Sequence, residues 1–316
     1  MDNWAIHECL KTIPGLEVWP EVLSLFPDTD APLRTDWALP FYSLRAAGQS
    51  DTIALPIAAA LACIQISIMI VDDILDDDPR GKHVEMGSGR AANLALALQA
   101  AAHLAVDTLD TSTDRRHAIA TCLQTMALAT ASGQEIDTQP ITGEDAYWRL
   151  VSAKSTPFYA AALESGAILG GTDEATQRVV RSIGVHLGEI IQIMDDLEDA
   201  FQSPPKPDWK RQNNNLVILF AKTAEHPERT HFLECLSQID YPGHLQAAQQ
   251  ILINCGAVSY ALYEIIQRYH SNMTMLRGST FLEPQPIVDL HNLQMRPLIQ
   301  LLLTIGVPIP LDFEML

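Results

Sequence analysis

The strongest constraint on this chain is an apolar stretch from Ile53 to Val71 that runs directly into the acidic sequence DDILDDD. As a helix, this stretch is long enough to cross a bilayer. However, it contains Gln65 and Ser67, it has no basic flank, and it ends at a run of aspartates, so the positive-inside rule gives a membrane span no support. A helix that is apolar on all sides is also typical of the centre of a helical bundle. We therefore predict a buried core helix and no stable membrane insertion.

Helical periodicity continues through the rest of the chain, where apolar residues recur at three- and four-residue steps and strand signals are nearly absent. The main segments are residues 91–109, 117–136, 146–169 and 175–201. Another apolar segment, LHNLQMRPLIQLLLTIGVPIP, lies near the carboxyl terminus. We find no repeat and no convincing linker. These patterns predict one all-α domain over residues 1–316.

Two pairs of polar residues have the spacing of helix caps. Thr142 stands three residues before Asp145, and Asp110 stands three residues before Thr113, so we predict that helices begin at these points. The least regular segment, QSPPKPDWKRQNNN at about 202–215, directly follows an aspartate cluster. Irregular segments beside clusters of functional residues often cover a site, so we predict a lid-like loop there rather than a domain boundary.

Net charge and cysteine content narrow the function further. The net charge is −19, which argues against nucleic acid and against an anionic membrane surface as partners. Five scattered cysteines without CxxC spacing indicate reduced thiols, and the amino terminus lacks the pattern of a secretory signal, so we predict a cytoplasmic location. An acidic protein that binds a phosphorylated substrate also needs a local source of cations.

Two aspartate clusters with the spacing DDxxD each end a long apolar segment. Residues four apart share one face of a helix, so Asp72 and Asp76 point the same way, as do Asp195 and Asp199. Like charges so placed repel one another unless a cation lies between them. The candidate catalytic residues are Asp72, Asp73, Asp76, Asp195, Asp196 and Asp199.

A single acidic run is usually a solvated helix face, but two runs of the same spacing at the ends of buried segments fit that interpretation poorly. Oxygen ligands without histidine or cysteine favour Mg²⁺, with Mn²⁺ as an alternative, and Mg²⁺ commonly bridges carboxylates to substrate phosphates. A di-iron bundle would need Glu-x-x-His pairs, which we do not find. A calcium loop would need a glycine and a final glutamate at fixed spacing, and neither cluster has them.

With its two DDxxD motifs, this chain resembles the trans-isoprenyl (polyprenyl) diphosphate synthase family, from about Trp37 to the end of the 210s. The sequence GQEID at 133–137 is similar to a further family motif, Lys154 stands where the family has a diphosphate-binding lysine, and Gln192 precedes the second motif as the family's glutamine does. The resemblance implies a helical bundle in which both motifs face a central cavity. It also implies a homodimer.

The resemblance assigns roles to individual residues. It implies three Mg²⁺ ions, for which the metal ligands are Asp72, Asp76, Asp195 and Asp199. It also implies an allylic prenyl diphosphate as the substrate, with Arg80 and Lys154 on its diphosphate. Ser67 and Ile68 occupy the position that limits chain length in the family, although both are equally ordinary core residues. The candidate substrate-binding residues are Arg80, Lys154, Gln192, Ser67, Ile68, Lys210 and Arg211.

The chain departs from the family where chain-elongating members bind isopentenyl diphosphate. Asp36 stands in place of a lysine, Leu39 in place of an arginine, and Gln65 in place of a histidine. Exchanging a phosphate-binding lysine for aspartate turns attraction into repulsion, a change on the order of several kcal/mol at short range. Asn213 also replaces a lysine, although Lys206 and its basic neighbours are close in sequence.

The fate of the allylic cation separates the possible functions. Because the second diphosphate site is depleted, we favour a class I terpene synthase that cyclises a fifteen- or twenty-carbon diphosphate. The alternatives are a chain-elongating synthase that uses isopentenyl diphosphate and a prenyltransferase that acts on a non-isoprenoid acceptor. A regulatory subunit with a relic site is a further possibility, but such subunits often lose the aspartates that this chain retains.

Overall fold

The computed structural model of this protein describes residues 3–31, 33–138, 141–206, 209–210, 214–279 and 283–309. These residues form helices and no strand. The helices are α1 (Asn3–Lys11), α2 (Pro20–Leu23), α3 (Leu39–Ala46), α4 (Leu55–Asp76), α5 (Lys82–Met86), α6 (Ser88–Asp107), α7 (Thr113–Asp137), α8 (Glu144–Lys154), α9 (Thr156–Leu169), α10 (Glu174–Phe201), α11 (Leu216–Thr223), α12 (Arg229–Ser237), α13 (His244–Asn254), α14 (Ala257–Arg277) and α15 (Gln285–Ile305). The predicted all-α class is confirmed.

Helix α4 is the central core helix that the sequence predicts. Every residue from Ile57 to Ile64 is buried, because α6 packs along one side of the helix and α1, α7 and α9 pack around the rest. Within the described residues it is the one helix long and apolar enough to span a membrane, and 67% of its most apolar window is buried inside the protein. The helix ends at Asp77, which adopts a left-handed conformation. The first aspartate cluster therefore emerges from the core at its last turn.

Helix α10 brings the second cluster to the same end of the bundle. It packs along α9 and contributes to both apolar clusters of the core, with Ile183 and Leu187 in one and Ile193 and Leu197 in the other. A Cβ atom at Gly188 would lie less than 3.0 Å from the backbone of Thr156, so the two helices approach closely only because this residue is glycine.

Helix bounds agree with the sequence prediction at three of the four main segments, and the fourth differs. The segment 146–169 is two helices, α8 and α9, which meet at Ser155. Pro157 causes the break, because proline has no N–H group and its ring would clash with the carbonyl of Ala153 in a continuous helix.

Both predicted helix caps are wrong. Helix α7 is capped by Ser112, whose hydroxyl accepts the N–H of Arg115 at 3.3 Å, rather than by Asp110. Helix α8 is preceded by Gly143 and has no side-chain cap, so Thr142 does not play this role. Loop geometry places the first helical turn one or two residues later than the capping pattern indicates in each case.

Candidate active site

Both aspartate clusters line one cavity of about 400 Å³ between the carboxyl-terminal turns of α4 and α10. The aspartates that line it are Asp72, Asp73, Asp76, Asp78, Asp137, Asp195, Asp196 and Asp199, and the basic residues are Arg80, Lys154 and Lys206. Among the described residues, no three acidic, cysteine or histidine side chains converge as a ready metal cage. An all-carboxylate donor set split between two helices fits metal ions that bridge protein carboxylates to a phosphorylated ligand.

Lys154 lies between two carboxylates at the centre of the site. Its Nζ is 2.5 Å from Oδ2 of Asp137 and 3.3 Å from Oδ1 of Asp72. Burial on its own would lower the pKa of Lys154, but the charges of Asp72 and Asp137 outweigh it and the pKa is raised. The amide of Gln134 also donates to Asp72, and that of Asn214 donates to Asp137. The lysine is therefore a fixed ammonium group beside the first cluster.

The position of Lys154 depends on close contact between α7 and α8. A Cβ atom at Gly133 would lie less than 3.0 Å from backbone atoms of Ala153 and Lys154. Glycine at this position of α7 therefore lets the backbone that carries Lys154 approach near enough for the lysine to reach Asp72 and Asp137.

Asp195 carries the most perturbed carboxyl group of the two clusters. Desolvation by the surrounding protein, followed by the charges of Asp199 and Glu198, raises the pKa of Asp195 to about 7, although part of the residue is open to solvent. Its oxygens remain open to cavity water, and no hydrogen-bond donor in the described part of the chain contacts them. Asp199, one turn further on, is 3.4 Å from Nζ of Lys206. These two carboxylates are placed to receive a cation.

Asp196 has different surroundings from its neighbour. Its side chain is buried, and its Oδ2 accepts hydrogen bonds from the Tyr147 hydroxyl and from the backbone N–H of Leu216, both at 2.7 Å. Its Oδ1 accepts from the amide of Gln192 at 2.9 Å, and Gln192 in turn accepts from Ser155 at 2.6 Å. In the sequence analysis Asp196 is among the catalytic residues and Gln192 among the substrate-binding residues, and in the structure both side chains bind protein partners.

The predicted basic residues have different positions. Arg80 lines the cavity, where it forms a two-pronged ion pair with Asp78 and lowers the pKa of that carboxyl group to about 2. Lys210 does not reach the cavity, because its Nζ lies 3.1 Å from Asp240 on the exposed surface, so its predicted role is not supported. Arg211 lies outside the described residues.

The predicted lid-like loop at 202–215 lies partly outside the described residues, which omit 207–208 and 211–213. Within it, Trp209 is fully buried in the apolar core. The segment is therefore packed against the protein at this point, and its proposed movement as a lid stays a prediction.

The predicted chain-length residues line a smaller, mostly apolar cavity of about 200 Å³ behind the first cluster. Ser67 and Ile68 lie on its α4 side, and Gln134, which contacts Asp72, links it to the aspartates. The amide of Gln99 on α6 donates to the Ser67 hydroxyl at 2.5 Å. The cavity thus extends from the carboxylates to the hydrogen bond between Gln99 and Ser67.

A third cavity of about 730 Å³ adjoins Asp195 and contains two of the residues that depart from the family pattern. Asp36 accepts two hydrogen bonds from Arg34, at 2.8 and 3.2 Å, and one from the amide of Gln65 at 2.5 Å. Leu39 is fully buried and does not line the cavity, and Asn213 lies outside the described residues.

Sequence reasoning missed several polar residues that organise the site. Asp137 and Gln134 belong to the GQEID motif, but their contacts with Lys154 and Asp72 depend on how α7 and α8 pack. Tyr147 and Asn214 gave no signal, because a tyrosine in an amphipathic segment and an asparagine in a polar run are both common.

Comparison with known proteins identifies the family. The polyprenyl synthetase family profile matches residues 35–252, about two thirds of the chain. The chain belongs to the polyprenyl synthetase family. This confirms the resemblance inferred from the two DDxxD motifs.

Individual relatives of known activity are distant. A geranylfarnesyl diphosphate synthase from Aeropyrum pernix is 25% identical, and the match covers 67% of this chain and 72% of the relative. Another geranylfarnesyl diphosphate synthase, from Natronomonas pharaonis, is 28% identical over 66% of this chain and 64% of its own length. Among solved structures, a geranylgeranyl pyrophosphate synthetase from Pyrococcus horikoshii has a TM-score of 0.78 at 21% identity and covers 93% of this chain and 94% of its own. At that identity the structural similarity shows the fold alone.

Proposed function

We propose that this protein is a Mg²⁺-dependent prenyltransferase that ionises an allylic prenyl diphosphate and joins its prenyl group to isopentenyl diphosphate. The observation that carries the proposal is the single cavity in which two aspartate clusters surround Lys154. The relatives of known activity are chain-elongating prenyl diphosphate synthases. They favour elongation, the alternative in the sequence analysis, over the cyclisation preferred there. A homodimer and a cytoplasmic location stay predictions.

In the proposed function, different residues of the site contribute to different parts of the ionisation step. Mg²⁺ held by Asp72, Asp76, Asp195 and Asp199 would supply Lewis-acid neutralisation of the leaving diphosphate. Lys154 and Arg80 provide positive charges in the same cavity as the first cluster, where they can pair with phosphate oxygens. The apolar cavity behind Ser67 accommodates the start of the prenyl chain and keeps water from the allylic cation.

A second candidate function rests on the environment of Asp36. Among the described residues that line the 730 Å³ cavity, Arg34 is the one cation, and it is already paired with Asp36. Asp195 and Glu198 add further negative charge to this cavity. A second diphosphate would meet net repulsion there unless Arg34 changes partners, whereas an internal double bond of the prenyl chain would not. This observation favours cyclisation, or transfer to an uncharged acceptor.

One assay separates these functions. The purified protein is incubated with Mg²⁺ and a ten-, fifteen- or twenty-carbon allylic diphosphate, with and without isopentenyl diphosphate, and the products are extracted before and after phosphatase treatment. We expect a longer prenyl diphosphate that forms only when isopentenyl diphosphate is present. A hydrocarbon or terpene alcohol formed from the allylic diphosphate alone would instead establish the second candidate.

Control variants connect the reaction to the site. Asp72→Ala and Asp195→Ala should each reduce diphosphate release by several orders of magnitude, because each removes a carboxylate that binds the neutralising metal. Asp107→Ala removes an exposed aspartate at the far end of α6 and should leave the rate unchanged. Near-normal turnover in Asp72→Ala would contradict a site built from both clusters.

A further inference from the structure

Asp196 is the one buried carboxylate of the two clusters, and its contacts set it apart from the other five. We propose that Asp196 is a positioning residue rather than a metal ligand: with Tyr147 it fastens the chain at Asn215 and Leu216 to α10, and so fixes the start of α11 beside the site. The inference rests on the proposed function only in that the site it supports is the proposed diphosphate site.

The hydrogen bonds that Asp196 accepts argue against its being a metal ligand. A carboxylate can accept about four hydrogen bonds. Both acceptor positions of Oδ2 are used by the Tyr147 hydroxyl and the Leu216 N–H, and Oδ1 accepts from Gln192. Protein donors thus use most of the acceptor capacity of Asp196, and a metal ion bound to both oxygens would displace buried donors, which would then lack partners. Asp195 has open oxygens and accepts no hydrogen bond from the described residues, so it is available to a metal.

Tyr147 is suited to be a permanent donor. Its side chain is fully buried between α8 and α10, and burial together with the neighbouring Asp196 charge raises the pKa of the phenol well above its ordinary value. The hydroxyl therefore keeps its proton across the physiological range. A Tyr–Asp pair of this kind links α8, which carries Lys154, to α10, which carries the second cluster.

Asp196 holds the chain before α11 through its backbone as well as through its carboxylate. The Asn215 amide donates to the backbone carbonyl of Asp196 at 2.8 Å, and its side-chain oxygen caps α11 by accepting the N–H of Ile218 at 3.3 Å. The adjacent Asn214 donates to Asp137, the partner of Lys154. Residues 214–216 are thus attached to both walls of the cavity, and Asp196 supplies the attachment on the α10 side.

Two measurements distinguish an anchor from a ligand. The first follows the melting temperature with inorganic diphosphate while Mg²⁺ is titrated, which gives the Mg²⁺ midpoint. Tyr147→Phe preserves the Asp196 charge and should leave this midpoint within about twofold of the unmodified protein, whereas Asp195→Asn should raise it about tenfold or more, because Mg²⁺ affinity follows the ligand charge. Asp196→Asn removes a nearby charge but no ligand, so its shift should be clearly smaller than that of Asp195→Asn.

The second measurement is the rate of trypsin cleavage after Lys210 and Arg211 without any ligand. Tyr147→Phe and Asp196→Asn should each increase cleavage about tenfold, because proteolysis follows the local opening that the anchor restrains. Their combination should add little to either change alone, since both break one contact. Asp195→Asn and the surface control Tyr263→Phe should cleave at the unmodified rate.

The outcomes separate the anchor from the proposed function. Unchanged cleavage in Tyr147→Phe, or an Mg²⁺ shift in Asp196→Asn as large as that in Asp195→Asn, would overturn the anchoring role. If the unmodified protein does not bind inorganic diphosphate with Mg²⁺, the proposed function fails, but the cleavage rates still decide whether Asp196 holds the loop. Should Asp196→Asn fail to fold, Tyr147→Phe decides the question.

Discussion

At the scale of single residues, the acidic groups of the site differ mainly in their partners. Lys154 pairs with Asp72, Arg80 with Asp78, and Tyr147 with Asp196. Asp195 lies near Asp199, Glu198 and Asp36, and no cation in the described structure pairs with it. If this site binds metal ions as proposed, it is electrostatically strained before they bind.

This strain predicts a pH-dependent stability. Because the folded-state pKa of Asp195 is raised to about 7, the folded protein holds a proton there that the unfolded chain loses near pH 4. The folded state binds more protons across this window, so without Mg²⁺ this group makes stability fall as pH rises from about 4 to about 7. Asp195→Asn should remove that fall and stabilise the metal-free protein at pH 8 by roughly 1 kcal/mol, a modest value because cavity water screens the charge.

The measurement is the melting temperature of both proteins from pH 4 to pH 8 in the presence of a chelator. Asp107→Asn, at an exposed position, serves as the control and should follow the unmodified protein. If Asp195→Asn melts at the same temperature as the unmodified protein at pH 8, the carboxyl group is not strained in the metal-free state.

Residue positions could be predicted from the sequence only where helix geometry decides them. The four-residue spacing placed Asp72 with Asp76 and Asp195 with Asp199, and all four line one cavity. The spacing of the sequence could have predicted that Asp196 is buried, because it lies three residues after Ile193 and four before Ala200, on the apolar face of the helix. The DDxxD motif drew attention to its charge instead. The surface position of Lys210 had no such signal, because irregular segments have no periodicity.

At the scale of helices, the contact between α7 and α8 predicts a severe effect of a small change. Gly133→Ala places a methyl group against the backbone of Ala153 and Lys154, so α8 must move. We expect a loss of about 1–3 kcal/mol in the free energy of unfolding. Diphosphate release should slow more than tenfold, since displacement of a positioning group by even about 1 Å costs that much or more.

A matched substitution tests this prediction. Gly89→Ala introduces the same methyl group in α6, where it meets open space, and should be neutral or slightly stabilising. Urea unfolding and turnover of both variants give the comparison. Equal behaviour of the two variants would show that the contact between α7 and α8 does not position Lys154.

The packing of α4 against α6 predicts where the prenyl chain stops. The 200 Å³ cavity and a neighbouring cavity of about 340 Å³ share Leu96, Gln99 and Ala127, with the hydrogen bond from Gln99 to Ser67 between them. Gln99→Ala should open this passage and shift the products to longer chains by at least one five-carbon unit. Chromatography of the dephosphorylated products measures the shift in chain length. Gln250→Ala, at an exposed position of α13, is the control. An unchanged product length would place the end of the chain elsewhere.

The helical elements themselves were largely predictable, because long apolar periodicity determines helices such as α4, α6, α7 and α10. The residues at which the helices begin and end were less predictable. The cap at Ser112 depends on loop geometry, and the break at Ser155 depends on Pro157, a residue whose effect is local and easily masked by apolar residues on both sides. The site lies where these less predictable ends meet.

At the scale of the whole molecule, negative charge predominates, so a phosphorylated ligand needs cations in order to bind. The chain carries a net charge of −19, and most of the charged residues that line the 400 Å³ and 730 Å³ cavities are acids. In the proposed function, the 400 Å³ cavity recruits Mg²⁺ through its aspartate clusters. In the 730 Å³ cavity, the one cation among the described residues is Arg34, which is paired with Asp36. If the protein elongates a chain as proposed, the second diphosphate must exchange partners with the Arg34–Asp36 ion pair.

This exchange predicts opposite effects of two neighbouring substitutions. If isopentenyl diphosphate binds beside Asp195, it must take the Arg34 guanidinium from Asp36. Asp36→Asn frees that cation and should tighten isopentenyl diphosphate binding about tenfold, and Arg34→Ala should weaken it by at least as much, because a charge-assisted pair to phosphate is gained or lost. The rise in melting temperature with isopentenyl diphosphate measures binding, since a ligand of the native state stabilises it. Inorganic diphosphate with Mg²⁺ should bind in the 400 Å³ cavity between the aspartate clusters, so its effect on the melting temperature should be the same in both variants. If isopentenyl diphosphate stabilises neither the unmodified protein nor Asp36→Asn, the 730 Å³ cavity does not accept a second diphosphate, and cyclisation or an uncharged acceptor becomes the function of the site.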